Sequence, residues 1–193
     1  MTLKEILDKY HEEIVRQWGN RLHTEISEHY SARPIEELFR TTSEVAEAKY
    51  AMLVYEDFSK IDLIIETISK LRLEGGFSLS EVQNAFELYR SILLPILFKE
   101  LDRSLLPISV QKLNACLSYA INKFSDYFQA LHEREIRCHA ENLEKEVEKR
   151  TGELVASEAK YRMLVEEIND GYFLNQKGYI AFANTEFLRY AWL

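Results

Sequence analysis

Apolar residues recur along most of this chain at helical intervals. In the first thirty positions Leu3, Ile6, Leu7, Tyr10, Ile14, Trp18, Leu22, Ile26 and Tyr30 follow one stripe, which predicts a single amphipathic helix. Thr2-Leu3-Lys4-Glu5 sets a hydroxyl three residues before a glutamate, the capping-box spacing that starts a helix. Arg33-Pro34 predicts where it stops. A second stripe carries Ile35, Leu38, Phe39, Val45, Tyr50 and Leu53, and loses phase at Glu56-Asp57-Phe58-Ser59, where we expect a break. A third, Ile61, Ile64, Ile65, Ile68 and Leu71, runs into Gly75-Gly76, a C-terminal stop. Ser78-Leu79-Ser80-Glu81 is a second capping box. It opens a helix through Val82, Phe86, Tyr89 and Leu93, which Pro95 is expected to kink or end.

From about Ile108 the rhythm changes. Leu113, Leu117, Ala120, Phe124, Tyr127 and Leu131 fall at alternating steps of four and three. A second register follows, with Ile136, Ala140, Leu143, Val147, Arg150, Leu154, Ser157, Tyr161, Leu164 and Ile168. An unbroken alternation of this length marks a coiled coil, read here as parallel, and the shift around residues 131 to 136 reads as a stutter. Glu141, Glu144, Lys145, Glu146, Glu148 and Lys149 solvate its outer faces. So narrow an apolar seam needs a partner, which predicts a homodimer. Asn169-Asp170-Gly171 ends the helix. Tyr172-Phe173-Leu174 and Tyr179-Ile180-Ala181-Phe182 then predict a hairpin around a four-residue loop, Asn175 to Gly178, with Asn184 capping a short final helix. A lone hairpin is marginal in water, so the pattern reads as the start of a further domain.

Composition sharpens this picture. The 193 residues are 47% apolar, enough for a real core, and hold only 6 Gly and 3 Pro, with no glycine between Gly76 and Gly152. That scarcity of turn residues points to long helices. The net charge of −8 leaves no basic stripe for phosphates, which argues against nucleic acid as a partner. The longest apolar run, Ile92 to Phe98, is broken by Pro95 and too short for a bilayer. Cys116 and Cys138 lie 22 positions apart, about 33 Å on one helix, too far for a bridge within the chain. Free thiols and the lack of a leader-like opening lead us to expect a cytoplasmic protein without membrane contact.

The segment Leu143 to Leu154, with Arg150-Thr151-Gly152-Glu153-Leu154, followed by Ser157-Glu158-Ala159-Lys160-Tyr161-Arg162, resembles the signalling-helix linker that enters PAS domains in bacterial sensor kinases. Leu164-Val165-Glu166, Asn169-Asp170-Gly171-Tyr172-Phe173, Gly178-Tyr179-Ile180 and Ala183-Asn184 look like the first helix and first two strands of PAS. Residues 1 to about 130 are similar to the helical N-terminal domain of stressosome co-antagonist proteins. That likeness rests on the amphipathic helix with Trp18, on Leu71-Arg72 before Gly75-Gly76, and on Phe77 to Val82 leading to Leu88-Tyr89-Arg90. It implies a globin-like, haem-free, dimeric signal-input fold. The expected architecture is all-α, with a helical sensor domain over 1–130, a coiled-coil linker over 131–168 and an incomplete α/β PAS domain over 169–193.

The chemistry is sparse. A haem sensor needs an imidazole from the middle of the domain, but the histidines are His11, His23, His29, His132 and His139. His132-Glu133 matches the dipeptide of a kinase phosphoacceptor helix without its surrounding sequence and reads as coincidence. Its spacing of seven from His139 puts the two on one coil face, where solvated histidines are favoured over a metal site. Trp18, Arg72, Phe86, Tyr89 and Arg90 are the candidate lining of an input pocket. Arg72 and Arg90 could meet an anionic ligand in the core or pair with glutamates such as Glu87, and ion pairs are the favoured reading. With no nucleophile, metal cluster or phosphate loop, we expect no catalytic residue and no cofactor in this region.

These readings make the chain the input region of a bacterial sensor, expected to be a histidine kinase in a two-component system. It would pass an unknown small-molecule or protein signal through the coil to PAS and output domains. A stressosome-type scaffold without kinase activity and the input module of a PAS-linked diguanylate cyclase remain alternatives. Arg150 and Ser157 are poor seam knobs, and with Gly152 they suggest two coil registers of similar energy.

Overall fold

The computed structural model describes residues 1–191 and divides the chain into two units, Met1–Glu135 and Ile136–Leu193. Its elements are mostly helical, with one two-stranded antiparallel sheet. In the first unit, α1 (Leu3–Arg21) starts at the expected capping box: the Thr2 hydroxyl accepts from Glu5 N–H at 3.3 Å and the Glu5 carboxylate accepts from Thr2 N–H at 2.8 Å. The helix does not run on to Pro34. It widens into a π-helical turn over Leu22–Ile26, passes through the extended Ser27, and re-forms as the short α2 (Glu28–Ser31). This detour re-aims the chain so that Leu22 and Tyr30 are both buried.

Helix α3 (Ile35–Tyr55) ends at Glu56 in the left-handed region (φ 56°), and α4 (Ser59–Glu74) begins after the expected break. A Schellman closure ends α4, with Phe77 N–H bonded to Arg72 O at 3.0 Å and Gly76 N–H to Leu73 O at 3.0 Å. The Ser78–Glu81 box then starts α5 (Leu79–Glu100). Pro95 sits inside α5 without ending it. The ring and the Ser91 residue whose carbonyl loses its donor both face solvent, while Ile92, Leu93 and Leu97 anchor the helix in the core. Helix α1 packs on α3 and α5. Gly19 permits the closest approach, since a Cβ there would stand 2.4 Å from Phe39 Cδ1.

Helix α6 runs without interruption over Leu106–Glu166. Within the first unit Leu113, Leu117, Ala120 and Phe124 are fully buried. This earlier stripe is therefore bundle core, and Phe128 continues it, whereas Tyr127 is exposed because a straight helix drifts from a strict 3.5-residue repeat.

The second unit holds the remainder of α6, β1 (Phe173–Gln176), β2 (Tyr179–Ala183) and α7 (Thr185–Ala191). The hairpin loop is two residues, not four. Lys177 (φ 55°) and Gly178 (φ 86°) both take positive φ, the tight turn whose twist matches paired strands, so Asn175 and Gln176 join the ladder opposite Ile180 and Tyr179. Asn184 organises this unit. Its amide donates to the carbonyls of Val165, Ile168 and Asp170, and its oxygen accepts from Tyr172 N–H at 2.7 Å and Phe187 N–H at 3.0 Å. The last bond is the expected cap of α7.

Candidate functional site

Each helix from α1 to α5 sends side chains to one small internal cavity of about 30 Å³, room for one or two waters. Trp18 of α1, Leu22 of the π turn, Tyr30 of α2, Thr42 and Val45 of α3, Ile68 and Arg72 of α4, and Phe86 of α5 line it. The indole N–H of Trp18 donates to Ala85 O at 2.8 Å, and the Thr42 hydroxyl donates to Leu38 O at 2.8 Å. These protons are committed to backbone, so the wall is apolar apart from one charge.

That charge is Arg72, only 4% exposed. It falls four residues after Ile68 and seven after Ile65, on the buried stripe of α4, whereas Leu71, expected in the core, is exposed. The guanidinium Cζ lies 5.1 Å from the Tyr30 ring centre and 4.8 Å from that of Phe77. Its Nε and Nη1 are buried without a hydrogen-bond partner. The expected ion pair is not made: Glu37 pairs with Arg33, and Glu81 with His29. Burial weakens the hold of Arg72 on its proton, yet a guanidinium stays charged in a protein. Arg90 does make its ordinary pair, with Glu87 at 3.2 Å.

A second buried cation lies beside the cavity wall. Lys49 of α3 is fully buried and its Nζ has no hydrogen-bond partner. The amine rests over three rings, Tyr89 at 4.2 Å, Trp18 at 4.7 Å and Phe86 at 5.1 Å. Trp18 and Tyr89 are themselves in contact, with ring centres 5.1 Å apart. Burial pushes the Lys49 ammonium down to about 7. Among the described residues no Asp or Glu is buried, so the core holds two cations and no anion. The structure thus gathers Trp18, Arg72, Phe86 and Tyr89, leaves Arg90 half-buried on Glu87 with its Nε enclosed and unpartnered, and adds Lys49, which the apolar stripe passes over. Its signal was present in the spacing of Leu38, Thr42, Val45, Lys49 and Met52, steps of four and three in which the polar positions are as buried as the apolar ones.

The seam residues form no site within the chain. Ile136, Leu143, Val147, Leu154, Tyr161 and Leu164 are exposed, Leu143 by 62% and Leu154 by 70%. Ala140 is also exposed, and Ser157 is half-buried. Arg150 pairs along its own helix with Glu146 at 2.5 Å. Cys116 is buried and Cys138 exposed, both as free thiols. Among the described residues no helix is long and apolar enough to cross a membrane. Comparison of the chain with protein families, with curated proteins and with solved structures finds no match.

Proposed function

We propose that this chain is the signal-input region of a sensor protein, which dimerises through the later part of α6 and passes the state of its helical bundle along that helix. One observation carries this reading. Helix α6 is core in the first unit, where Leu113, Leu117, Ala120 and Phe124 are sealed, and the same helix then presents an apolar stripe, Ile136 to Leu164, to solvent. Such a stripe at coiled-coil spacing is stable when a second copy covers it. Input and coil therefore share one hydrogen-bonded backbone. In this reading the bundle is a haem-free globin-like sensor, and the hairpin with α7 begins a PAS domain. Downstream output by a histidine kinase is the reading the linker's resemblance favours.

Sedimentation of the chain at tens of micromolar tests the dimer, and a monomer overturns it. Orientation follows from cross-linking in a Cys138→Ser background. Leu143→Cys, on the seam, is expected to form a symmetric disulfide readily, and Lys145→Cys, on the outer face, is not.

A further inference from the structure

We propose that Lys49 is a proton switch at the centre of the bundle: as a neutral amine it lets α1, α3 and α5 close over it, and acidification, by charging it, loosens that packing. Lys49 is fully buried, its Nζ has no hydrogen-bond partner, and among the described residues no carboxylate is buried with it. The amine rests over ring faces alone, Trp18 from α1 and Phe86 and Tyr89 from α5, at 4.2 to 5.1 Å. Such faces attract an ammonium, but they do not replace the water and counter-charge that burial removes, so the neutral form is favoured. A charge forced into this place is relieved when the helices part enough to admit water.

The ionisable groups that bear on the amine supply no counter-charge. On α5, Glu87 is paired with Arg90 at 3.2 Å, and burial pushes the Tyr89 phenol up and so keeps it protonated. On α6, the Cys116 thiol donates to Met52 Sδ at 3.4 Å and is likewise pushed up by burial. Trp18 of α1 brings no ionisable group. The same cage abuts the helix that leaves the bundle, because the Phe86 ring stands 5.8 Å from Phe124 of α6. As an input to the relay, the switch rests on the function proposed above; as a property of the bundle it stands on Lys49 and its rings alone.

Trp18 reports on the cage directly. A Trp192→Phe background leaves it as the remaining tryptophan of the whole chain, and its emission is followed from pH 8 to pH 6. A change with a midpoint near 7 is expected in the parent and none in Lys49→Met. Imidazoles ionise over the same range, so only the signal that Lys49→Met abolishes counts. Emission that stays constant, or that changes equally in the variant, overturns the switch. Should Lys49→Met fail to fold, the Cε resonances of isotope-labelled lysines in the parent decide the matter. One that titrates near 7 together with the Trp18 change supports the switch, and titration of every lysine above about 9 rejects it. Sedimentation at pH 8 keeps this outcome apart from the dimer: a monomer that retains the Trp18 change sinks the relay and leaves the switch, and a dimer without the change does the reverse.

Discussion

The Phe86 ring of α5 stands 5.8 Å from the Phe124 ring of α6, tilted by 59°, and Phe124 in turn meets Phe128 at 5.4 Å. Phe86 also lines the Arg72 cavity. One aromatic contact therefore joins the cavity wall to the helix that leaves the bundle. A double-mutant cycle with Phe86→Leu and Phe124→Leu, followed by urea unfolding, should return a coupling of about 1 kcal/mol. Phe124→Ala alone should cost about 3–5 kcal/mol, since its site is sealed and collapses poorly. Strict additivity in the cycle would remove this contact from the proposed relay.

Lys49 makes the bundle's stability depend on pH in an unusual direction. Its ammonium titrates at about 7 in the folded chain, against about 10.4 when unfolded. Between those values the unfolded chain holds a proton that the folded chain lacks, so stability rises with pH from about 7 to about 10 and is lowest below 7. Burial also pushes the Cys116 thiol and the Tyr89 phenol up, and both oppose this rise once the unfolded groups begin to ionise, above about 8.5 for a thiol, so the difference between parent and variant isolates the Lys49 effect; Glu87 is paired with Arg90. Lys49→Met should flatten that slope and stabilise the protein at pH 6, by an amount on the order of a few kcal/mol. Chemical denaturation at pH 6 and pH 9 measures both effects, and an unchanged slope in the variant refutes the assignment.

The weak positions of the seam make a second set of outcomes. Arg150 and Ser157 sit between better knobs, Val147, Leu154 and Tyr161. If the proposed dimer forms, replacing both with leucine should tighten it by about tenfold or more, because a charge and a hydroxyl at its seam give way to apolar knobs. Leu143→Lys should do the reverse. Sedimentation equilibrium across a concentration series reads both, and a response of the same sign in the two variants contradicts the register.

Asn184 predicts which part of the second unit melts first. Its side chain is fully buried and closes five hydrogen bonds, so Asn184→Ala removes the partner of the Tyr172 and Phe187 N–H groups and of the Ile168 and Asp170 carbonyls, while Val165 O keeps its bond from Ile168 N–H. A loss of about 3 kcal/mol or more is expected for that many unsatisfied groups. Amide exchange over Phe173–Ala183 should accelerate strongly in the variant while the amides of α3 and α5 stay protected. Unchanged hairpin exchange would show that the strands do not depend on this hub.

Several of these features are legible in the sequence. Thr2 with Glu5 and Ser78 with Glu81 announce helix starts because a cap is a contact three residues long. Asn184 reads as a cap for the same reason, but its bonds to Val165, Ile168 and Asp170 join positions that no local pattern relates. Pro95 marks the limit of a local rule: it does not end α5, which the burial of Leu93 and Leu97 holds on the core. Sequence makes Arg72 a candidate, with a glutamate favoured over an anionic ligand as its partner, but passes over Lys49, because a stripe read through its apolar members skips the cations that share its face.

The order of residues alone determined the helical character, the breaks at Glu56 and Gly75-Gly76, and the apolar stripe of late α6, since each follows from backbone hydrogen bonding and a repeat of three or four residues. Only the tertiary structure decided that Leu71 faces water while Arg72 is enclosed, that Lys49 rests among Trp18, Phe86 and Tyr89, and that the first stripe of α6 belongs to its own bundle. Those outcomes depend on which distant helices close over a given face, and burial of a charge is set by the sum of its neighbours rather than by its own position in the chain.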